Sequence, residues 1–125
     1  MVSASRVAAA RRVIPATHHR AAAAIAKCDV NLILDEVVLN VDLLESWRTE
    51  LKDVDVYWIG VHCDLEELER REIARGDRVI GQARGQFEIV HRHMEYDFEV
   101  DSTSATSKAC AAQIIEALTA SKRVT

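Results

Sequence analysis

The hydrophobic and polar positions of the chain predict three β-strands separated by helices. Residues 30–40 and 54–62 are nearly continuous apolar runs, the pattern of strands that are covered on both faces. Residues 96–101 alternate between apolar and polar side chains, which predicts a strand with one face in water, as at the edge of a sheet.

Apolar side chains recur at helical spacing before, between and after these strands. The predicted helices begin near Pro15, at Leu43, at Asp64, at Gly81 and near residue 105. The resulting order is helix, strand, helix, strand, helix, helix, strand, helix. It predicts an α/β layer fold with a short parallel sheet, in which residues 30–62 form a βαβ unit. We expect ligands beyond the carboxyl ends of the strands.

Length and composition indicate one small globular domain spanning residues 1–125. The chain is 49% apolar and 29% charged, and its net charge of -4 argues against general affinity for nucleic acid. No apolar run has the length needed to cross a bilayer. Cys28, Cys63 and Cys110 are widely spaced and form no CxxC pair, so a reducing compartment, the cytoplasm, is expected.

Charge is distributed unevenly along the chain. Residues 1–28 carry basic side chains and no acidic one. Such a start resembles an organelle transit peptide, or a basic arm that docks onto nucleic acid or an acidic partner. We favour a third interpretation, in which residues 1–14 are poorly ordered and a helix follows from Pro15 to about Lys27.

The first predicted strand ends in two carboxylates. Leu32, Ile33 and Leu34 precede Asp35 and Glu36, the arrangement of a Walker B segment. In such a segment the Asp lies at the carboxyl end of a parallel strand and holds Mg²⁺ directly or through water. The alternative is a buried strand that leaves through a polar turn.

The helix predicted from Asp64 carries three arginines. Arg71, Arg75 and Arg78 fall at i, i+4 and i+7 and share one stripe if the helix continues through residue 78. One interpretation is a solvated surface with i,i+4 ion pairs such as Glu67–Arg71. The other is a phosphate clamp, because guanidinium groups match phosphate oxygens and stay charged. Together with Asp35 near the same rim of the sheet, the clamp suggests phosphoryl transfer.

Several segments together resemble the chloramphenicol phosphotransferase family of P-loop kinases. The matching motifs are LILDEVVL, DVDVYWIGVHCD, REIARGDR and EYDFEVDST, between about Val30 and Thr103. The resemblance implies a three-layer kinase-like fold and transfer of the ATP γ-phosphoryl group to a hydroxyl of a small substrate, with Mg²⁺; resistance to an antibiotic is one use of such a reaction.

The resemblance also implies roles for particular residues. Arg75 and Arg78 match the lid arginines that approach the ATP phosphates, and Asp35 matches the acidic residue beside the phosphates and magnesium. Arg71 lies in the matched segment and is given a supporting role in cofactor binding.

The sequence departs from that family in one respect. No GxxxxGK[ST] loop occurs among the four glycines, Gly60, Gly76, Gly81 and Gly85. The family's first strand, phosphate loop and general base precede the matched segment. We therefore expect a truncated kinase-like domain with unpaired strand edges, which either pair with each other or associate with a second copy.

Three hypotheses follow from the sequence. The chain is a small-molecule O-kinase whose start was assigned too late, a non-catalytic remnant or pseudokinase, or an interaction module that docks through its basic start. We rank the kinase family first and expect little or no phosphotransfer from the 125-residue chain alone.

Overall fold

The computed structural model describes residues 17–77 and 79–121. They belong to two compact units, one within residues 1–56 and the other within residues 57–125. Residues 17–26 form helix α1. The elements that follow are α2 (Val41–Glu50), β1 (Ile59–His62), α3 (Leu65–Arg75), α4 (Gln82–Phe87), β2 (Phe98–Asp101) and α5 (Ser107–Ala120). Helices combined with a parallel strand pair confirm the predicted α/β class.

The first unit is built from α1 and α2. The Asn40 side chain accepts a hydrogen bond from the Leu43 N–H at 2.9 Å and so caps α2, which begins at Val41, two residues before the predicted Leu43. The buried apolar side chains of this unit come from both helices and from the residue after α2. They are Ala22, Ala23, Leu44, Trp47 and Leu51. The last three recur at i, i+3 and i+7, the helical spacing that predicted this element.

The strand predicted over residues 30–40 is wrong in the described structure. Residues 30–39 have no regular secondary structure, and the side chain of Ile33 is 96% exposed. A strand covered on both faces requires neighbouring strands and two covering layers, and an apolar run supplies neither. The βαβ unit predicted over residues 30–62 is therefore also not formed.

The second unit contains a two-stranded parallel sheet. Ile59 is paired with Phe98, and Val61 with Val100. The prediction for β2 is confirmed, including its alternation, since Val100 is buried between exposed neighbours. Only the last four residues of the run at 54–62 form a strand, because the ladder with β2 is four positions long.

Helix α3 ends earlier than predicted. Gly76 takes the left-handed conformation, with φ 66°, and its N–H bonds the Glu72 carbonyl oxygen at 3.4 Å, so the helix ends at Arg75. The common stripe of three arginines required a helix that continues through residue 78, and α3 ends before that residue. Arg78 itself lies outside the described residues. The Ile73 side chain of this helix is 64% exposed.

Within residues 17–77 and 79–121, no helix is both long enough and apolar enough to cross a bilayer.

Candidate functional site

The candidate site, here called the arginine turn, is defined as residues 75–81: the last residue of α3 and the connection to α4, of which residue 78 lies outside the described residues. Glycines in the left-handed region lie at both ends, Gly76 with φ 66° and Gly81 with φ 96°. A side chain rarely adopts these φ values, so the two glycines allow the sharp changes of direction that end α3 and start α4.

The guanidinium of Arg75 lies in water at the start of the turn. Its side chain is 54% exposed, and Nη2 is 3.2 Å from Oδ2 of Asp77, which is also exposed. An exposed ion pair of this kind contributes about 0–1 kcal/mol, because water and salt screen it. Arg75 can therefore exchange Asp77 for a stronger anion at little cost.

The guanidinium of Arg71 is already engaged by the protein. Nε donates to Glu67 Oε1 at 2.7 Å, and Nη2 donates to the carbonyl oxygen of Ser102 at 2.6 Å. Nη1 also donates to the Ser102 hydroxyl at 3.3 Å. Arg71 thus joins α3 to the residue after β2, a placement that suits a supporting role and distinguishes it from Arg75.

Glu67 connects Arg70 and Arg71, two of the arginines of α3. Its carboxylate accepts hydrogen bonds from Nε and Nη2 of Arg70, both at 2.7 Å, in addition to the bond from Arg71. These hydrogen bonds, first from Arg70 and then from Arg71, lower the pKa of Glu67 from 4.5 to about 2. The predicted ion pair between Glu67 and Arg71 is confirmed.

A buried carboxylate closes the arginine turn. Glu72 is only 7% exposed, and its two oxygens accept hydrogen bonds from the backbone N–H groups of Gly81 and Ala83, each at 2.8 Å. Glu72 was missed as a site residue by the sequence analysis, because no local pattern pairs it with residues nine and eleven positions later.

The motif EVDST fixes the carboxyl ends of the two strands. The Ser102 N–H donates to the His62 carbonyl oxygen at 2.8 Å, and the Thr103 hydroxyl accepts the Asp64 N–H at 2.9 Å. Asp101 in turn accepts the Thr103 N–H at 2.7 Å, and hydrogen bonding to Thr103 lowers the pKa of Asp101. These contacts hold the start of α3 against the end of β2.

Asp35 belongs to the first unit and lies in the exposed segment between α1 and α2. Asp35 is exposed and makes no hydrogen bond or ion pair with any other described residue. Arg71 and Arg75 belong to the second unit. The binding of one ligand by both Asp35 and the arginines stays a prediction.

A cluster of two histidines, His62 and His91, was not predicted from the sequence. In the second unit the rings of His62 and His91 are stacked, with centroids 4.1 Å apart. His62 Nε2 lies 2.8 Å from Glu99 Oε1, and His91 Nδ1 lies 2.5 Å from the Tyr96 hydroxyl. Burial, followed by repulsion from His62, lowers the pKa of His91.

Within residues 17–77 and 79–121, no group of three or more His, Cys, Asp or Glu side chains could hold a metal ion. Mg²⁺ keeps several waters and takes further oxygens from substrate phosphates, so the single exposed carboxylate of Asp35 fits this ion. A dedicated protein cage is not required for the predicted role.

The helices and the parallel strand pair define an α/β protein, and comparison with known proteins shows its family. A family model described as chloramphenicol phosphotransferase-like protein matches residues 2–119. The chain belongs to this family, and membership implies the P-loop kinase-like fold.

Two curated relatives are similar to most of the chain. Both are named "Putative O-phosphotransferase", one from Mycobacterium tuberculosis strain CDC 1551 / Oshkosh and the other from strain ATCC 25618 / H37Rv. Each is 34% identical over 100 residues, which cover 80% of this chain and 44% of the relative. The chain thus spans less than half the length of the curated relatives it matches.

Proposed function

We propose that the chain carries the phosphate-binding lid of an enzyme that transfers the γ-phosphoryl group of ATP to a hydroxyl of a small substrate. The observation that carries the proposal is the difference between two arginines of α3. Arg71 is occupied by Glu67 and Ser102, whereas Arg75 is exposed at the turn and paired only loosely, at 3.2 Å, with an exposed Asp77. Membership of the chloramphenicol phosphotransferase-like family supports a role of this turn in phosphoryl transfer.

In this proposal Arg75 binds the phosphates of ATP and stabilises the charge that develops on the transferred group. A guanidinium can donate two parallel hydrogen bonds to phosphate oxygens, which makes the pair stronger than the exposed contact with Asp77. Arg78 shares this role on the basis of the matched motif alone. Arg71 supports both by fixing α3 to the end of β2.

Asp35 completes the proposal through magnesium. Its exposed carboxylate would hold Mg²⁺ directly or through water, and the ion, when bound, neutralises charge on the phosphates. Because the sequence contains no GxxxxGK[ST] loop, we propose that the 125-residue chain alone turns over little or no ATP. The unpaired cysteines Cys28, Cys63 and Cys110 support a cytoplasmic location.

The first experiment measures the thermal shift of the purified chain with ATP or inorganic tripolyphosphate. A ligand that binds only the folded state raises the free energy of unfolding by RT ln(1 + [L]/Kd), so a shift is expected for the wild type. Arg75→Ala combined with Arg78→Ala should abolish it. Arg92→Ala, which removes an exposed arginine of the same unit, is the control and should keep it. A full thermal shift in the double variant would show that neither arginine binds the phosphates, and it would support the interpretation of this surface as solvated and ion-paired.

The second experiment tests Asp35. Asp35→Asn should remove the dependence of nucleotide binding on Mg²⁺, whereas Asp53→Asn, which alters another exposed acid of the first unit, should not. Dependence on Mg²⁺ that survives in the Asp35 variant removes the metal role.

Self-association is proposed for the segment between α1 and α2. Its exposed large apolar side chains are Val30, Leu32, Ile33, Leu34, Val37 and Leu39. An exposed apolar surface of this kind favours pairing with a second copy of the chain. Ile33→Asp should shift the mass measured by analytical ultracentrifugation toward the monomer; an unchanged mass contradicts this part of the proposal.

A further inference from the structure

Glu72 is hydrogen-bonded to both ends of the arginine turn. Its backbone carbonyl accepts the Gly76 N–H at 3.4 Å, where α3 ends. Its carboxylate accepts the N–H groups of Gly81 and Ala83 at 2.8 Å, where α4 begins. One residue of α3 thus connects the end of one helix with the start of the next.

The carboxylate performs the capping that Gly81 cannot. Gly81 is the N-cap of α4 and has no side chain to accept an N–H from the first turn. A helix leaves its first N–H groups without partners in the helix, and a carboxylate is a strong acceptor for them. Because Glu72 is 7% exposed, water competes weakly for these bonds.

We propose that Glu72 is a positioning residue for phosphate binding, which holds the described part of the arginine turn in the conformation that presents the Arg75 guanidinium to the ligand. The inference rests on the proposed function of Arg75. Glu72 itself touches no phosphate in this proposal. It raises affinity by making the binding-competent turn the dominant one, since a turn that is competent only part of the time binds proportionally more weakly.

A second link between the same helices provides a matched control. The carboxylate of Glu69 in α3 accepts hydrogen bonds from Nε and Nη2 of Arg84 in α4, at 2.7 and 3.1 Å. This pair also joins α3 to α4, but through two side chains and without a bond to the backbone of the turn. Glu69→Gln therefore removes an inter-helix link of similar chemistry and leaves the turn closed.

The experiment measures tripolyphosphate affinity by calorimetry at a temperature where circular dichroism shows every variant folded. Glu72→Gln keeps the side-chain size but replaces one acceptor oxygen with an NH₂ group that faces an N–H donor. We expect its dissociation constant to rise about tenfold. Glu69→Gln should change the constant less than about twofold. Glu72→Asp, which keeps two acceptor oxygens, should recover part of the affinity.

A double-mutant cycle tests whether Glu72 acts through Arg75. In the Arg75→Ala background, Glu72→Gln should weaken binding by much less than tenfold, because the group that it positions is absent. Amide hydrogen exchange of the ligand-free variants gives a second readout: Gly81 and Ala83 should exchange faster in Glu72→Gln and not in Glu69→Gln.

The outcomes separate the two proposals. If Arg75→Ala weakens binding but Glu72→Gln behaves like Glu69→Gln, the role of Glu72 is overturned and the function of Arg75 stands. If Arg75→Ala has no effect on binding, or no variant binds tripolyphosphate, the phosphate role of the turn fails and the positioning role fails with it. Unchanged exchange at Gly81 and Ala83 in Glu72→Gln overturns the positioning role whatever the affinities are.

Discussion

His19 and Trp47 are stacked in the first unit, with ring centroids 3.9 Å apart and an interplanar angle of 32°. His19 is 2% exposed, and its Nδ1 lies 2.7 Å from the Ser46 hydroxyl. The neighbouring His18 instead forms an exposed contact with Glu36 at 2.8 Å. His19 therefore joins α1 to α2 through a buried imidazole, and protonation would place a positive charge at a buried position.

We predict that the first unit loses stability in mild acid because of His19. Burial is the main cause of a pKa below the usual 6.5 in the folded state. The unfolded chain therefore binds the proton first, so stability is full above about pH 6.5 and falls as the pH drops toward the folded pKa, by at most about 1.4 kcal/mol per pH unit.

Urea unfolding followed by Trp47 fluorescence, in a Trp58→Phe background, measures this loss between pH 7.5 and 5.5. His19→Asn, whose amide can still bond Ser46, should flatten the pH dependence, and His18→Asn should not. A slope unaffected by His19→Asn contradicts the assignment.

A second pH dependence is expected in the second unit from Glu67. Because Arg70 and Arg71 lower its pKa to about 2, its stabilising effect is complete above its unfolded pKa near 4.5 and is lost as the pH falls toward 2. Glu67→Gln should remove this component of the acid unfolding curve. Glu66→Gln is the control, since Glu66 is exposed on the same helix and forms no ion pair within the described residues.

Gly60 is predicted to resist substitution because of Tyr96. A Cβ added at Gly60 would lie 2.7 Å from two carbons of the Tyr96 ring, which is held by its hydroxyl at His91. We expect Gly60→Ala to lower the free energy of unfolding by about 1–3 kcal/mol, as overpacking does.

Gly85 provides the contrast for this prediction. It lies within α4, and no atom would approach a Cβ there within 4 Å. Gly85→Ala should therefore raise the free energy of unfolding by about 0.5–1 kcal/mol through helix propensity. Equal effects of the two substitutions in urea titrations would show that the Tyr96 ring moves aside freely.

The pKa of His91 should depend on the neighbouring ring of His62. Burial and then repulsion from His62 lower the pKa of His91. His62→Asn should raise the pKa of His91 toward its usual value, and His93→Asn should leave it unchanged. NMR titration of the imidazole protons measures both, and a pKa of His91 that does not move in His62→Asn excludes the repulsion.

The sequence by itself determined the features that depend on neighbouring residues along the chain. The spacing of Leu44, Trp47 and Leu51 specifies α2, and the alternation before Asp101 specifies β2. The pair Glu67–Arg71 also follows from helical geometry alone. The motifs of residues 30–103 were sufficient to identify the family.

Only the tertiary structure decided which residues are exposed, engaged or able to bind. The apolar run at 30–39 had the pattern of a buried strand, but a strand forms only where another backbone supplies its hydrogen bonds. Arg71 and Arg75 are the same residue type on one helix, but only the tertiary structure shows which of them is engaged. The carbonyl oxygen of Ser102, 31 positions from Arg71, accepts a hydrogen bond from the Arg71 guanidinium. The carboxylate of Glu72 likewise acquired its role when α4 folded back onto α3, a contact that no local periodicity encodes.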